Sequence, residues 1–301
     1  MLNQNTYNLN QVELVSAKLA DLAQLVKMRL TLLVVFSSAM GYLYASELAI
    51  NPIQIIALLV GGFLITGSSN ALNQVYEKRI DSIMKRTENR PVASGRMSAT
   101  EGAIWGMLMG AVGVIILIEF TNELCAMFAT LSLILYAFLY TPLKRISRIS
   151  VYVGAIPGAM PFLLGWVAFT AQFNLEAGLL FLIQFIWQLP HTWSIAWLLK
   201  SDYQKVGIQM MPTNWKNPKL DAFITLLSAV VLLAACIVPF VFGFIGVIGL
   251  VITMTLGIYF IFKTWNLFKT CEMSQAKAVL IGSILFLPLV QIGYVIDKIV
   301  L

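Results

Sequence analysis

The chain has 301 residues, of which 59% are hydrophobic and 11% charged, and a mean hydropathy of +0.84 excludes a soluble globular domain. Its net charge of +6 fits membrane topology and attraction to anionic lipid, so the lipid bilayer is a partner and nucleic acid is not.

The first 24 residues form a polar tail of mixed charge, and the apolar run behind them is too long for a cleavable signal peptide. A membrane helix needs about 20 apolar residues. Nine such spans follow, near 28–46, 52–75, 102–119, 122–141, 150–170, 176–199, 221–241, 244–263 and 276–296. The expected fold is an all-α integral membrane protein, one domain over residues 1–301, with nine transmembrane helices around a central cavity. Cys125, Cys236 and Cys271 have no metal-finger spacing and read as packing residues, as do Gly154, Pro157, Gly158, Pro161 and Gly165 in the fifth span.

Basic residues mark alternate connections. They are Lys18, Lys27 and Arg29 before span 1; Lys78 to Arg96 after span 2; Lys144, Arg145 and Arg148 after span 4; Lys200, Lys205, Lys216 and Lys219 after span 6; and Lys263, Lys269 and Lys277 after span 8. Only Lys298 is left for the other face. Because basic residues are retained inside, the N-terminus is expected in the cytoplasm and the C-terminus outside.

The segment Asn70–Arg96 carries the densest chemistry. If span 2 continues as helix, Asn70, Asn73, Glu77 and Asp81 fall on one face at spacings of three, four and four. Two carboxylates and two amides, followed by Lys85, Arg86 and Arg90, suit a divalent cation carrying a diphosphate: hard oxygens hold the metal and guanidinium groups take the remaining phosphate oxygens. Asn70, Asp81 and Pro91 recur 121 residues later as His191, Asp202 and Pro212, which suggests two four-helix halves plus a ninth helix. The two acidic loops would then face each other across the cavity, the second reduced to Asp202 because Leu198 stands where Glu77 stands in the first.

The pattern Asn73-Gln74-x-x-Glu77-x-x-x-Asp81 resembles the NDxxDxxxD signature of the UbiA superfamily of intramembrane prenyltransferases. Further runs resemble its haem-farnesylating branch. These are Asp81-x-x-Met84-x-Arg86-Thr87-x-x-Arg90-Pro91, Tyr140-Thr141-Pro142-Leu143-Lys144-Arg145, Trp187-Gln188-x-Pro190-His191-x-Trp193 and Asp202-Tyr203-x-x-x-Gly207-x-x-Met210-x-Pro212. The likeness covers residues from about 25 to 215, and the last three spans match only as apolar helices. Gln74 and Glu77 depart from the general signature.

The resemblance implies transfer of a farnesyl group from farnesyl diphosphate to a vinyl group of haem b, with addition of water, giving haem O. It implies a bacterial inner membrane, and haem A synthase or terminal oxidase assembly downstream. Magnesium would be held by Glu77, Asp81 and Asp202, as one ion rather than two given the reduced second motif. Asn70 and Asn73 would orient those carboxylates or contact the diphosphate, Arg86, Arg90, Lys144 and Arg145 would neutralise it, and Tyr140 would bind substrate. Phe162, Trp166, Trp187 and Trp193 would form apolar walls, and His191, the one histidine of the chain, would contact haem as an iron ligand or take the proton when water adds. Two other readings stand beside this one. A different aromatic acceptor needs the same acidic face but gives no reason for Pro190-His191-x-Trp193. A transporter with repeated halves would place its polar groups near the bilayer midplane.

Overall fold

The computed structural model describes residues 4–300; residues 1–3 of the expected tail and Leu301 lie outside the described residues. The tail is helical, α1 (Gln4–Leu25), and turns through Lys27, whose φ of 50° is left-handed, directly into α2 (Met28–Ser46). There follow α3 (Pro52–Tyr76), the single turn α4 (Lys78–Asp81), α5 (Ala99–Phe120) and α6 (Glu123–Ile134). α6 runs on through a π-helical stretch, Leu135–Tyr140, into α7 (Thr141–Leu143). The second half holds α8 (Ser150–Thr170), α9 (Leu175–Leu198), the short α10 (Lys200–Val206), α11 (Pro218–Val241), α12 (Val247–Thr270) and α13 (Met273–Val300).

Helix starts are encoded locally. Asn51, Ser98, Asn122, Asn174 and Asn217 each precede a long helix and accept a backbone N–H from its first turn, satisfying a donor that has no partner inside the helix.

Among the described residues, eight helices are long and apolar enough to cross a membrane. The expected sixth span, α9, is equally long at 24 residues but is interrupted by Gln184, Gln188 and His191. It packs against α8, α11 and α13, and its polar side chains face protein instead of lipid. The expected eighth span ends too early: α12 continues to Thr270, so Lys263 and Lys269 lie on its last turns and not in a connection.

Successive spans pack side by side, and α13 closes the ring against α2. The 121-residue shift that relates Asn70 to His191 carries α2 onto α8, α3 onto α9, α5 onto α11 and α6 onto α12, leaving α13 outside the repeat. α2 and α8, the repeat-related pair, meet across the centre. Glycine permits this: a Cβ on Gly41 would strike the carbonyl of Phe162, and one on Gly165 would strike the backbone of Ser38 and Tyr42.

Candidate active site

The face predicted on span 2 forms. α3 breaks at Glu77, but Glu77 N–H still donates to Asn73 O at 2.9 Å and Asp81 N–H to Glu77 O at 2.8 Å, so the three side chains stay on successive turns. Asn73 Nδ2 donates to Glu77 Oε2 at 2.9 Å, and Lys144 Nζ lies 2.6 Å from Glu77 Oε1. Arg90 pairs with Asp81 Oδ2 at 2.7 Å, while Asp81 Oδ1 is buried with no hydrogen-bond partner. Burial pushes the Asp81 carboxyl above its ordinary pKa against the pull of Arg90. For Lys144, burial pulls down, but the Glu77 carboxylate prevails and holds the ammonium above its usual value. Asn70, by contrast, spends its amide hydrogens on Val26 O at 3.1 Å and Thr31 Oγ1 at 3.2 Å, fastening the start of α2 to α3.

Lys27, assigned to topology from the sequence, belongs to this cluster. Its left-handed backbone turns Nζ inward to within 3.2 Å of Asn73 Oδ1. Burial, with the charges of Arg90 and Lys144, lowers its pKa to about 7. Thr141 is the other residue missed: its hydroxyl receives Asn73 Nδ2 at 3.1 Å and donates to Tyr136 O at 2.8 Å, which ties the π-helical stretch to the acidic face. A positive-φ lysine leaves no trace in composition, and a π-turn has no sequence signal beyond the neighbouring Pro142.

The second acidic segment docks at the same end, where Gln209 N–H donates to Lys144 O at 2.9 Å and Arg148 donates to Pro212 O. Asp202 nevertheless pairs with Lys205 at 3.5 Å. Among the described residues no three His, Cys, Asp or Glu side chains gather closely enough to hold a metal ion. The expected set of Glu77, Asp81 and Asp202 is therefore not assembled as a cage, because the two first-motif carboxylates lean toward Lys144 and Arg90. The donor set still fits magnesium. That ion takes one or two carboxylates together with substrate phosphates, and Asp81 Oδ1 is a buried acceptor lacking a partner. Arg86 and Arg145 are exposed at the rim.

Beside this cluster a cavity of about 320 Å³ runs toward the middle of the bundle, lined from α2, α3, α6, the π-helical stretch, α8, α9 and α13. Asn70 and Tyr140 line its charged end, and Ser37, Gln184 and Gln291 its far end. Tyr136 and Tyr140 both point into it, with ring centroids 5.2 Å apart. Lys144 Nζ sits 4.9 Å from the Tyr140 ring centroid, and Gly154 allows that ring to lie flat against α8. Asn70 and His191, equivalent in the repeat, both line the cavity, each about 10 Å inside the end of its helix at 1.5 Å per residue. His191 stacks on Trp187 with centroids 4.5 Å apart.

Of the expected apolar wall, only Trp187 lines the cavity. Phe162 and Trp166 pack around the Tyr44 ring, and Trp193 is turned away, edge-on to Tyr152 at 6.4 Å. The reason is helical phase: Trp187 shares a face with His191, and Trp193, two residues beyond the histidine, faces α8. The wall is completed by Ile284, Leu287, Pro288 and Gln291 of α13, a helix that the motifs do not reach.

The UbiA prenyltransferase family model matches residues 34–289, which takes in all of the cavity lining except Leu30, Leu33 and Gln291. The chain belongs to the UbiA prenyltransferase family. It is 41% identical over 276 residues to a protein of Cytophaga hutchinsonii named protoheme IX farnesyltransferase, covering 92% of this chain and 96% of that one. A protein of the same name from Flavobacterium johnsoniae is 43% identical over 285 residues, with 92% and 94% covered. Among solved structures, one of digeranylgeranylglyceryl phosphate synthase superposes with a TM-score of 0.79 at 18% identity, over 95% of this chain and all of that one. A UbiA homolog from Archaeoglobus fulgidus, bound to GPP and Mg2+, gives 0.64 at 13% identity over 93% of this chain and 100% of that one. As a member of the UbiA family the protein is a membrane-embedded prenyltransferase.

Proposed function

We propose that the protein transfers a farnesyl group from farnesyl diphosphate to a vinyl group of haem b, with addition of water, giving haem O and diphosphate. What carries this reading is one apolar cavity with two features: one end lies beside the cluster of paired carboxylates and cations, and a histidine stacked on tryptophan stands in its wall. The names of the relatives point to the same acceptor and donor.

In this reading the diphosphate lies at the mouth among Lys27, Arg90, Lys144 and Asn73, with Arg86 and Arg145 at the rim. Glu77, Asp81 and Asp202 are the residues that would hold magnesium, which neutralises diphosphate and makes it a better leaving group. As the allylic C–O bond breaks, negative charge grows on the departing diphosphate, and these fixed cations stabilise that state more than the ground state. The allylic cation left behind faces the rings of Tyr136 and Tyr140, whose π-faces favour positive charge. The apolar length of the cavity takes the prenyl chain and keeps bulk water away until the new C–C bond has formed. The terminal vinyl carbon bonds to C1 of the farnesyl group, the cation moves to the carbon beside the porphyrin ring, and water adds there with loss of a proton.

Magnesium supplied with the substrates in the bacterial inner membrane, an active face in the cytoplasm, and haem A synthase or terminal oxidase assembly downstream complete the reading. The test is purified protein in detergent with haem b, farnesyl diphosphate and magnesium, the extracted haems being separated and weighed by mass spectrometry. A magnesium-dependent haem heavier by one farnesyl group and one water is expected. Unchanged haem b alongside prenylation of an aromatic acid would overturn the acceptor.

A further inference from the structure

His191 Nδ1 lies 2.8 Å from Ser283 Oγ on α13. A serine hydroxyl has one hydrogen, and here Oγ also lies 2.7 Å from the carbonyl of Leu280, one turn back on the same helix. A carbonyl can only accept, so the hydroxyl hydrogen belongs to that bond and Oγ offers a lone pair to the ring. Nδ1 must then carry the imidazole hydrogen. Nε2, which has no protein partner among the described residues, keeps its lone pair on a side chain that lines the cavity.

The same residue fixes the ring in a second way. Ser283 O accepts Trp187 Nε1–H at 2.9 Å, and Trp187 stacks on His191 with an interplanar angle of 18°. One serine thus holds the tryptophan through its main chain and the histidine through its side chain. No Asp or Glu lines the cavity, so nothing there stabilises an imidazolium. A neutral ring with a free Nε2 suits donation to a metal better than uptake of a proton.

We propose that Ser283 is a positioning residue that locks His191 as the Nδ1–H tautomer, so that Nε2 is presented as the ligand of the iron of the bound metalloporphyrin. The assignment rests on the haem reading above. It gives α13 a part in acceptor binding.

The variants are Ser283→Ala, Ser283→Thr and His191→Ala, in the full chain reconstituted in lipid nanodiscs, titrated with ferrous haem b and followed by absorption and by the iron–histidine stretch in resonance Raman. The Trp187 bond to the main chain survives in all three. The wild type should show the stretch and His191→Ala should lose it. Ser283→Ala should shift it to lower frequency and weaken haem binding roughly 10-fold, the size of effect that outer-shell partners have on ligands. Ser283→Thr should restore both, which separates loss of the hydroxyl from loss of packing. A Ser283→Ala variant with wild-type frequency and affinity, or a wild type with no iron–histidine stretch, overturns the proposal. Haem O formed by a wild type lacking the stretch would sink this inference alone. A hydroxyl-dependent stretch in a protein that farnesylates no haem would sink the reaction and leave the ligand assignment standing.

Discussion

Asp81 divides its two oxygens between jobs: Oδ2 holds Arg90 at 2.7 Å, and Oδ1 is buried without a partner. A carboxylate kept half-satisfied in a raised-pKa setting is costly unless a cation completes it. Asp81→Ala is therefore expected to lower turnover roughly 100-fold or more while haem still binds, because His191 lies deeper on another helix; product analysis and haem titration on one preparation check both halves. Lys27 makes a second prediction. With a pKa of about 7 it is charged below that pH and neutral above it. An arriving diphosphate favours the charged form, so binding at pH 8 should take up a proton at this site. Calorimetry in two buffers of different ionisation heat should show a buffer-dependent enthalpy at pH 8 that Lys27→Met removes.

At the scale of helices, the site depends on two local departures from regular geometry. Thr141 pins the π-helical stretch, so that Tyr136 and Tyr140 both enter the cavity and Asn73 is held toward Glu77. Thr141→Val keeps the shape and removes both bonds. It should raise the KM for farnesyl diphosphate several-fold with little change in melting temperature, since each bond contributes only about 1 kcal/mol to stability. The α2–α8 contact is the opposite case. A side chain at Gly165 meets backbone, which has no rotamer to yield, so Gly165→Val should separate the helices, cost about 1–3 kcal/mol and lower the thermal midpoint in detergent.

On the scale of the whole molecule, the bundle is electrically polar. Lys27, Arg90 and Lys144 with their carboxylates gather at one end. The other end is held by Tyr44 donating to Glu176 at 2.6 Å, with Lys298 3.6 Å from the same carboxylate. If basic residues set orientation, a reporter that works only outside the cytoplasm should be active when fused after α13 and inactive when fused to the N-terminus. The reverse pattern would place the acidic cluster, and with it the diphosphate, on the wrong face for a substrate made in the cytoplasm.

The order and approximate limits of the spans were legible in the sequence because hydropathy over about 20 residues is a local quantity, although α12 runs past its expected end, and so was the face of Asn73, Glu77 and Asp81, since helical spacing is local as well. Even the doubling of the fold could be read from three recurring positions, and it extends through four pairs of helices. Other features depended on packing. Trp193 turns away from the cavity that Trp187 enters, Glu77 and Asp81 pair with Lys144 and Arg90 rather than with Asp202, and Lys27 becomes part of the site through one left-handed residue. Ser283 was invisible for the same reason. A serine in an apolar helix carries no mark of its partner, and only the closure of α13 against α9 puts its hydroxyl beside the ring of His191, 92 positions away in the chain.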